Sequence, residues 1–211
     1  MDVHIVYAHP SERSFSHALL TAFVRGLDAA GHRHTVSDLY AMGFNPVLST
    51  AEYERESAPG DSYAVPDDVR AEQAKLDAAD VWCFIYPVWW TDCPAILKGW
   101  FDRVWTAGWA YHPETLVKAR AALVMCTAGN TEEQLEESGR GPAMRTVMLA
   151  DRIFDRAAES SFQLFGGSTH FRGEEWAGHA KEELERAFSL GRDPLGTGEN
   201  RAPATAWSAS S

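Results

Sequence analysis

The sequence has little that would serve a membrane, a nucleic acid or a metal ion. No run of about 18 apolar residues exists, so no segment reads as a membrane-crossing helix. Basic residues are scarce: 19 Lys and Arg stand against 30 Asp and Glu, a formal net charge of −11. Such a surface repels phosphodiester backbones and anionic lipid, so nucleic acid and membrane insertion are not expected. Cysteine is sparse as well. Cys83, Cys93 and Cys126 are odd in number and lack CxxC spacing, which predicts reduced, buried thiols in a cytoplasmic protein. His9 and His17 have no partners at zinc-ligand spacing, no Ser-His-Asp constellation stands out, and no metal is expected. The phosphate signatures GxGxxG and GxxxxGK[ST] are missing. The N-terminal Met1 to Ala8 lacks the charged start and long apolar core of a signal peptide and reads as a buried strand.

What remains is an ordinary globular composition, 45% hydrophobic and 23% charged over 211 residues, enough for one compact domain. Apolar runs at Val3–Ala8, Val81–Tyr86, Ala121–Cys126 and Phe162–Phe165, with a weaker one at His34–Val36, predict strands. Helical spacing joins Phe15, Leu19, Phe23 and Leu27 before Gly31, and again Ile96 to Trp105, where Asp92 is a candidate N-cap and Pro94 a first-turn proline. Met144, Val147 and Met148, continuing to Phe154 and Ala157, predict a further helix, and Trp176–Phe188 a last one. Strands apolar on both faces and alternating with helices predict an α/β three-layer sandwich, flavodoxin-like, with a five-stranded parallel sheet in the order 2-1-3-4-5. The domain is expected over residues 1–190. Ala41–Asp68 reads as a surface excursion, and the Gly-, Pro-, Ala- and Ser-rich stretch 191–211 as a mobile tail.

Two turns carry chemical potential. In an open parallel sheet ligands bind outside the carboxyl ends of the strands, near the switch in strand order. The turn after the first strand, Ala8 to Ser16, lies there and opens a helix whose N-terminus attracts anions. Ser14 is a candidate cap, and His9, Ser11, Arg13 and Ser16 add donors. The second turn is richer. Six of the eight tryptophans fall between Trp82 and Trp109. Trp100, Phe101 and Trp105 read as core, whereas Trp89 and Trp90 fall outside the apolar stripe. Their rings can wall a planar heteroaromatic ligand whose polar edge meets the backbone of Val88 to Thr91. Gly99 inside the helical pattern implies close packing.

These segments together, Ala8-His9-Pro10, Ser14-Phe15, Tyr86-Pro87-Val88-Trp89-Trp90, Pro94-Ala95-Ile96-Leu97-Lys98-Gly99-Trp100-Phe101-Asp102-Arg103-Val104 and Ala110-Tyr111, resemble the NAD(P)H:quinone oxidoreductase family. The resemblance spans roughly residues 3 to 170. It implies a tightly bound flavin, FAD or FMN, and a homodimer with two sites at its interface. It further implies ping-pong, two-electron reduction of a quinone-like acceptor by NAD(P)H. By the same resemblance His9, Ser14, Phe15 and Ser16 hold the phosphate side of the flavin, and Pro87, Val88, Trp89, Trp90 and Thr91 lie along its ring. Trp109 and Tyr111 match a loop that covers the acceptor pocket, often from the second subunit, and are expected to stack on substrate.

The turn Thr127-Ala128-Gly129-Asn130-Thr131 matches the family's glycine turn at Thr127 and Gly129, where backbone N–H groups would steady charge on the reduced ring. Asn130 replaces a common glycine. The Tyr and His that follow in mammalian relatives are absent: Leu135 stands near the tyrosine's place, and no histidine occurs from Pro113 to Thr169. Backbone dipoles, Arg140 or a partner chain must then take over that role. His112 and His170 are candidate proton donors. Alternatives within the same reading are a nitro- or azo-reductase, a tailoring reductase of secondary metabolism, or a flavin-bearing carrier acting on a protein partner.

Overall fold

A computed structural model describes residues 1–57, 64–111 and 113–196, together with the backbone of 201–203. Five parallel strands, β1 (Asp2–Tyr7), β2 (Arg33–Asp38), β3 (Val81–Pro87), β4 (Ala119–Thr127) and β5 (Ala157–Phe165), lie in the order β2-β1-β3-β4-β5. β6 (Arg201–Pro203) adds a sixth, antiparallel strand against Glu159–Ser161. The stretch read as tail therefore contributes main-chain partners to an otherwise bare sheet edge. Residues 197–200 and 204–211 lie outside the described residues.

Alternation within the strands builds two cores. Ile5, Tyr7, Cys83, Ile85, Leu123 and Met125 face α1 (Phe15–Ala29) and α7 (Gly173–Arg192). Val6, Trp82, Phe84, Tyr86, Val124 and Cys126 face the other layer. That layer is made of α3 (Asp67–Asp77), α4 (Ala95–Val104), α5 (Glu132–Glu137) and α6 (Arg140–Arg145). β3 is buried along its whole length, as the central strand of a sheet covered on both faces must be. Each fully buried indole finds an acceptor: Trp82 Nε1 donates to Leu76 O at 3.0 Å and Trp100 Nε1 to Glu72 Oε2 at 3.0 Å. The core reading of Trp100 and Phe101 holds, and Trp105 packs half-buried against both.

Two close approaches need glycine. A Cβ on Gly26 would lie 2.1 Å from Phe188 O, and one on Gly191 would lie 2.1 Å from Phe23 O. α1 and α7 thus touch backbone to backbone near their C-terminal ends. A Cβ on Gly99 would lie 2.1 Å from Pro46 O, so the excursion lies directly on α4. Part of that excursion is itself helical, α2 (Thr50–Ser57); residues 58–63 lie outside the described set.

Arg103 of α4 holds the excursion down. Its guanidinium donates to Glu52 Oε1 at 2.7 Å, to Asn45 O at 2.8 Å, and to both oxygens of Asp68 at 2.7 and 3.1 Å, beneath the Phe44 ring. Two details of the helices differ from the sequence reading. Phe154 and Ala157 do not extend a helix: Thr146–Ile153 is π-helical, Phe154 turns to φ 47°, and Ala157 opens β5. The wider π turn lets Met148, Leu149, Arg152 and Ile153 all face inward. Asp92 does not cap α4, whose N-cap is Pro94; its carboxylate is taken by Arg152.

Hydrogen bonds from Arg103 hold the Asp68 carboxyl below its ordinary 3.8. For Glu52 burial pushes upward, but bonds from Ser49 and Arg103 outweigh it and the net shift is below 4.5. A depressed carboxyl pKa stabilises the folded state above the ordinary value and loses that stability as pH falls. Resistance to urea is therefore expected to fall progressively below pH 4.5 in the native chain. Arg103→Met, which strands Glu52, should cost about 3–5 kcal/mol at neutral pH and lose less with acid.

Candidate functional site at the carboxyl edge of the sheet

Three turns leave the carboxyl ends of β1, β3 and β4 side by side. The first enters α1. Ser14 is its N-cap, with Oγ accepting from His17 N at 3.1 Å. Ser11 N donates to His9 Nδ1 at 3.0 Å. Burial holds the His9 imidazole below its ordinary 6.5. In the neutral ring the proton then sits on Nε2, which can donate outward. The Phe15 side chain turns away to pack edge-on against Trp176 at 5.0 Å, so Phe15 brings only its backbone N–H to the edge. Ser16 is buried, and its hydroxyl meets that of Thr127 at 2.8 Å.

The second turn joins β3 to α4. Pro87 is buried and Val88 N donates to Thr127 O at 2.7 Å. Trp89 and Asp92 then pair across a two-residue turn, with N–H···O distances of 2.9 and 3.2 Å. Its central residues, Trp90 and Thr91, have φ of 54° and 65°. That left-handed conformation usually belongs to Asn and Gly. Trp89 is 41% exposed and Trp90 100% exposed, and the Trp89 ring lies 6.2 Å from His9. These aromatics are not core.

The third turn follows β4. Ala128 N donates to Phe165 O at 3.1 Å, and Ala128 O and Gly129 O accept from Ser168 N and Thr169 N, each at 3.1 Å. A Cβ on Gly129 would meet Thr169 Oγ1 at 2.5 Å, which is why glycine stands there. Thr131 closes the turn with a capping box to Gln134 at the start of α5.

The edge is rich in unused donors. Among the described residues, no acceptor meets the backbone N–H groups of Phe15 and Ser16, of Trp90 and Thr91, or of Gly129 and Asn130. Two buried side-chain atoms beside the first turn also lack a well-formed hydrogen bond, Tyr7 Oη, whose polar neighbour is the Ser14 hydroxyl, and His17 Nδ1, on rings 6.0 Å apart. Buried polar groups are rarely left so. Free N–H groups, a helix N-terminus and orphaned polar atoms suit an anionic ligand. From this turn a groove of about 800 Å³ runs between α1 and α7, lined by Arg13, His17, Arg25, Ala177, Ala180 and Lys181 among others.

Not every expected residue reaches the edge. α4 runs antiparallel to the strands, and Trp109 and Tyr111 follow its far end. Trp109 Nε1 donates to Asp77 Oδ2 at 3.0 Å and its ring packs on Trp105. Tyr111 Oη donates to Glu56 Oε2 at 2.6 Å. Burial and that carboxylate push the phenol up to about 12. Within one chain neither stands over the turns. Arg140 is bonded to Ser138 at the outer corner of α5 and α6, and Leu135 is buried. His170 is exposed and stacks on Phe171, while His112 lies outside the described residues. Cys83, Cys93 and Cys126 are free and buried. No group of His, Cys, Asp and Glu that could hold a metal ion occurs among the described residues, and no described helix is long and apolar enough to cross a membrane. Sequence reasoning missed the Tyr7 hydroxyl, the Ser168–Thr169 staple and the Arg152 contact with Asp92. Tyr7 ends a strand at this edge and was the readable one.

A doubly covered parallel sheet with strand order β2-β1-β3-β4-β5 defines a flavodoxin-like fold. Residues 1–154 match the family described as flavodoxin-like fold, and the chain belongs to that family, among its NAD(P)H:quinone oxidoreductase members. An NAD(P)H:quinone oxidoreductase from Methanothermobacter marburgensis superposes with a TM-score of 0.85 at 41% identity, covering 95% of this chain and 98% of that one. NAD(P)H dehydrogenase (quinone) 1 of Rattus norvegicus is 40% identical over 162 residues, 68% of this chain but 59% of the rat protein. This chain thus spans under two thirds of that relative's length. An uncharacterized NAD(P)H oxidoreductase of Haemophilus influenzae is 31% identical over 170 residues, 77% of this chain and 82% of that protein.

If the first turn is an anion site, Ser14→Ala should cost about 1 kcal/mol in urea unfolding. It should also weaken binding of inorganic pyrophosphate, measured by calorimetric titration. Unchanged pyrophosphate affinity would place the anion elsewhere.

Proposed function

We propose that this chain is a flavoprotein that reduces a quinone-like acceptor with NAD(P)H. The observation that carries the reading is the convergence of three donor-bearing turns at one sheet edge beside an open tryptophan face. The residues fit the group. Phe15 and Ser16 N–H, the Tyr7 hydroxyl and the α1 dipole would hold its phosphate. Val88 to Thr91 would border the ring, with Trp89 against a face. Gly129 and Asn130 N–H would stabilise negative charge beside Thr127 and Ala128. Leu135 stands buried where mammalian relatives carry a tyrosine, so backbone dipoles replace a side-chain relay. A bound flavin would supply the redox chemistry, a hydride from NAD(P)H with one proton from solvent balancing the two electrons and two protons that convert a quinone to its hydroquinone. The protein contributes orientation and charge placement, with a single open face used by donor and acceptor in turn, which gives ping-pong kinetics.

The groove between α1 and α7 favours FAD over FMN. It leaves the phosphate turn directly, has a volume of about 800 Å³, and is lined by Arg13, Arg25 and Lys181 against Glu12 and Glu185, a small excess of cations in a chain of net charge −11. We further propose a homodimer, a reading supported by the placement of the aromatic loop. Trp109 and Tyr111 lie at the far end of α4 from the turns of their own chain, so if they stack on substrate they would do so from a second copy, for which the fully exposed Trp90 offers a surface. Three free buried thiols suit a reducing cytoplasm.

The decisive test is the visible spectrum of the purified protein, then anaerobic NADPH, then a simple benzoquinone. A flavin band that bleaches and returns establishes the activity. A bleached band restored only by a partner protein points to a carrier, and no band after adding FAD or FMN overturns the reading. Ala180→Trp, which fills the groove, is expected to weaken FAD by about tenfold or more while FMN binds as before. Equal losses for both flavins would remove the groove from the cofactor site.

A further inference from the structure

The turn between β3 and α4 is held in an uncommon shape by a residue far along the chain. Trp90 and Thr91 both sit at positive φ, 54° and 65°, and Thr91 is β-branched, the type least suited to that region. A local hydrogen-bond pair between Trp89 and Asp92 does not by itself compensate two such residues. Asp92 is where outside support enters. Its oxygens accept from both terminal nitrogens of Arg152, at 2.7 and 2.9 Å, and Oδ1 also accepts from Cys93 N at 2.7 Å. The bidentate geometry fixes the orientation of the carboxylate as well as its position.

Arg152 is itself immobilised. It is buried in the π-helical segment, its guanidinium lies 5.4 Å from the Phe101 ring centre, and its Nη1 touches Cys93 Sγ and Met148 Sδ at 3.3 and 3.2 Å. Its carbonyl accepts from Trp105 Nε1 at 2.5 Å. The π turn lets Arg152 point inward together with Met148, Leu149 and Ile153.

From this geometry we infer that Arg152 is a positioning residue. It clamps Asp92 so that the Trp90 and Thr91 N–H groups and the Trp89 ring stay presented at the sheet edge. Its bearing on flavin binding rests on the function proposed above; its hold on the turn does not.

Amide exchange by NMR in flavin-free protein separates the two. Arg152→Lys and Asp92→Asn each remove the paired bonds while leaving a polar group in place. Both should raise exchange at the Trp89 and Asp92 amides by about tenfold, with β3 and the body of α4 unaffected. Thr91→Gly removes one strained side chain. Added to either variant, it should bring exchange back to near the native rate, a rescue that loss of packing around Phe101 and Met148 cannot give. In the same proteins the dissociation constant of added FAD should rise by about tenfold in the single variants and recover with Thr91→Gly. Exchange that stays native, rises equally through β3 and α4, or is not rescued would overturn the assignment of Arg152. Rescued exchange with flavin affinity unmoved throughout would keep the clamp and count against the ring lying on this turn.

Discussion

A buried guanidinium, Arg103, is the contact on which the placement of the excursion over α4, and of the loop beyond it, depends. It gathers a carbonyl from Asn45, a carboxylate from α2 and another from the start of α3 onto one helix. A cation so enclosed is tolerated only when it is paired and hydrogen-bonded, and four bonds from its three nitrogens do this. The segments that supply its acceptors therefore have little freedom to lie elsewhere. Pro46 against Gly99 adds a steric stop on the same line. α2, once placed, presents Glu56 to both Tyr111 Oη and Ala107 N, at 2.6 and 2.7 Å, which fixes the loop beyond α4. The aromatic loop at the tail of α4 thus rests on Arg103, while the tryptophan turn at its head rests on Arg152.

The chemistry gathered at the sheet edge is unusual in what it omits. The one strongly engaged carboxylate in these turns, Asp92, is pushed up by burial but held below its ordinary 3.8 by Arg152 and Cys93 N–H, so it is a fixed charge already taken by its partner. Burial raises the Tyr7 phenol and lifts the Cys93 thiol to about 12, which keeps both protonated. What the edge offers instead is fixed dipoles: N–H groups, a helix terminus and a few hydroxyls. Such groups need no proton to be moved before they stabilise negative charge, and they do not titrate away. They also let an acidic protein hold an anion, because the attraction is confined to a few ångströms while the net charge acts over the whole surface.

Much of this was readable from the chain, for identifiable reasons. Parallel strands buried on both faces write themselves as apolar runs, so β1, β3 and β4 stood out, and with them the turns that end them. Ser14 was legible as a cap because capping is local. Trp89 and Trp90 were legible as surface because they break the helical stripe. The misses are non-local or conformational. Asp92 looked like a cap because its true partner, Arg152, is 60 residues on. The π-helical turn broke the expected spacing after Met148, and Phe154 fell outside any helix. β6 was lost in a stretch whose composition speaks for disorder, since main-chain pairing to a sheet edge asks little of side chains. The separation of Tyr111 from the turns depends on which way α4 runs, a property of topology that spacing does not encode.

The glycine contact between α1 and α7 has a mechanical meaning. With Gly26 and Gly191 pressed against the opposing backbones, the two helices form a pair of levers pinned near one end. Phe15 lies eleven residues from the pin, about 16 Å along the helix. A tilt of one degree at the pin would displace the opening of the groove by only about 0.3 Å. The pin sits at the inner end of the groove itself, beside Arg25 and Phe188, so the groove opens from a closed and stationary end.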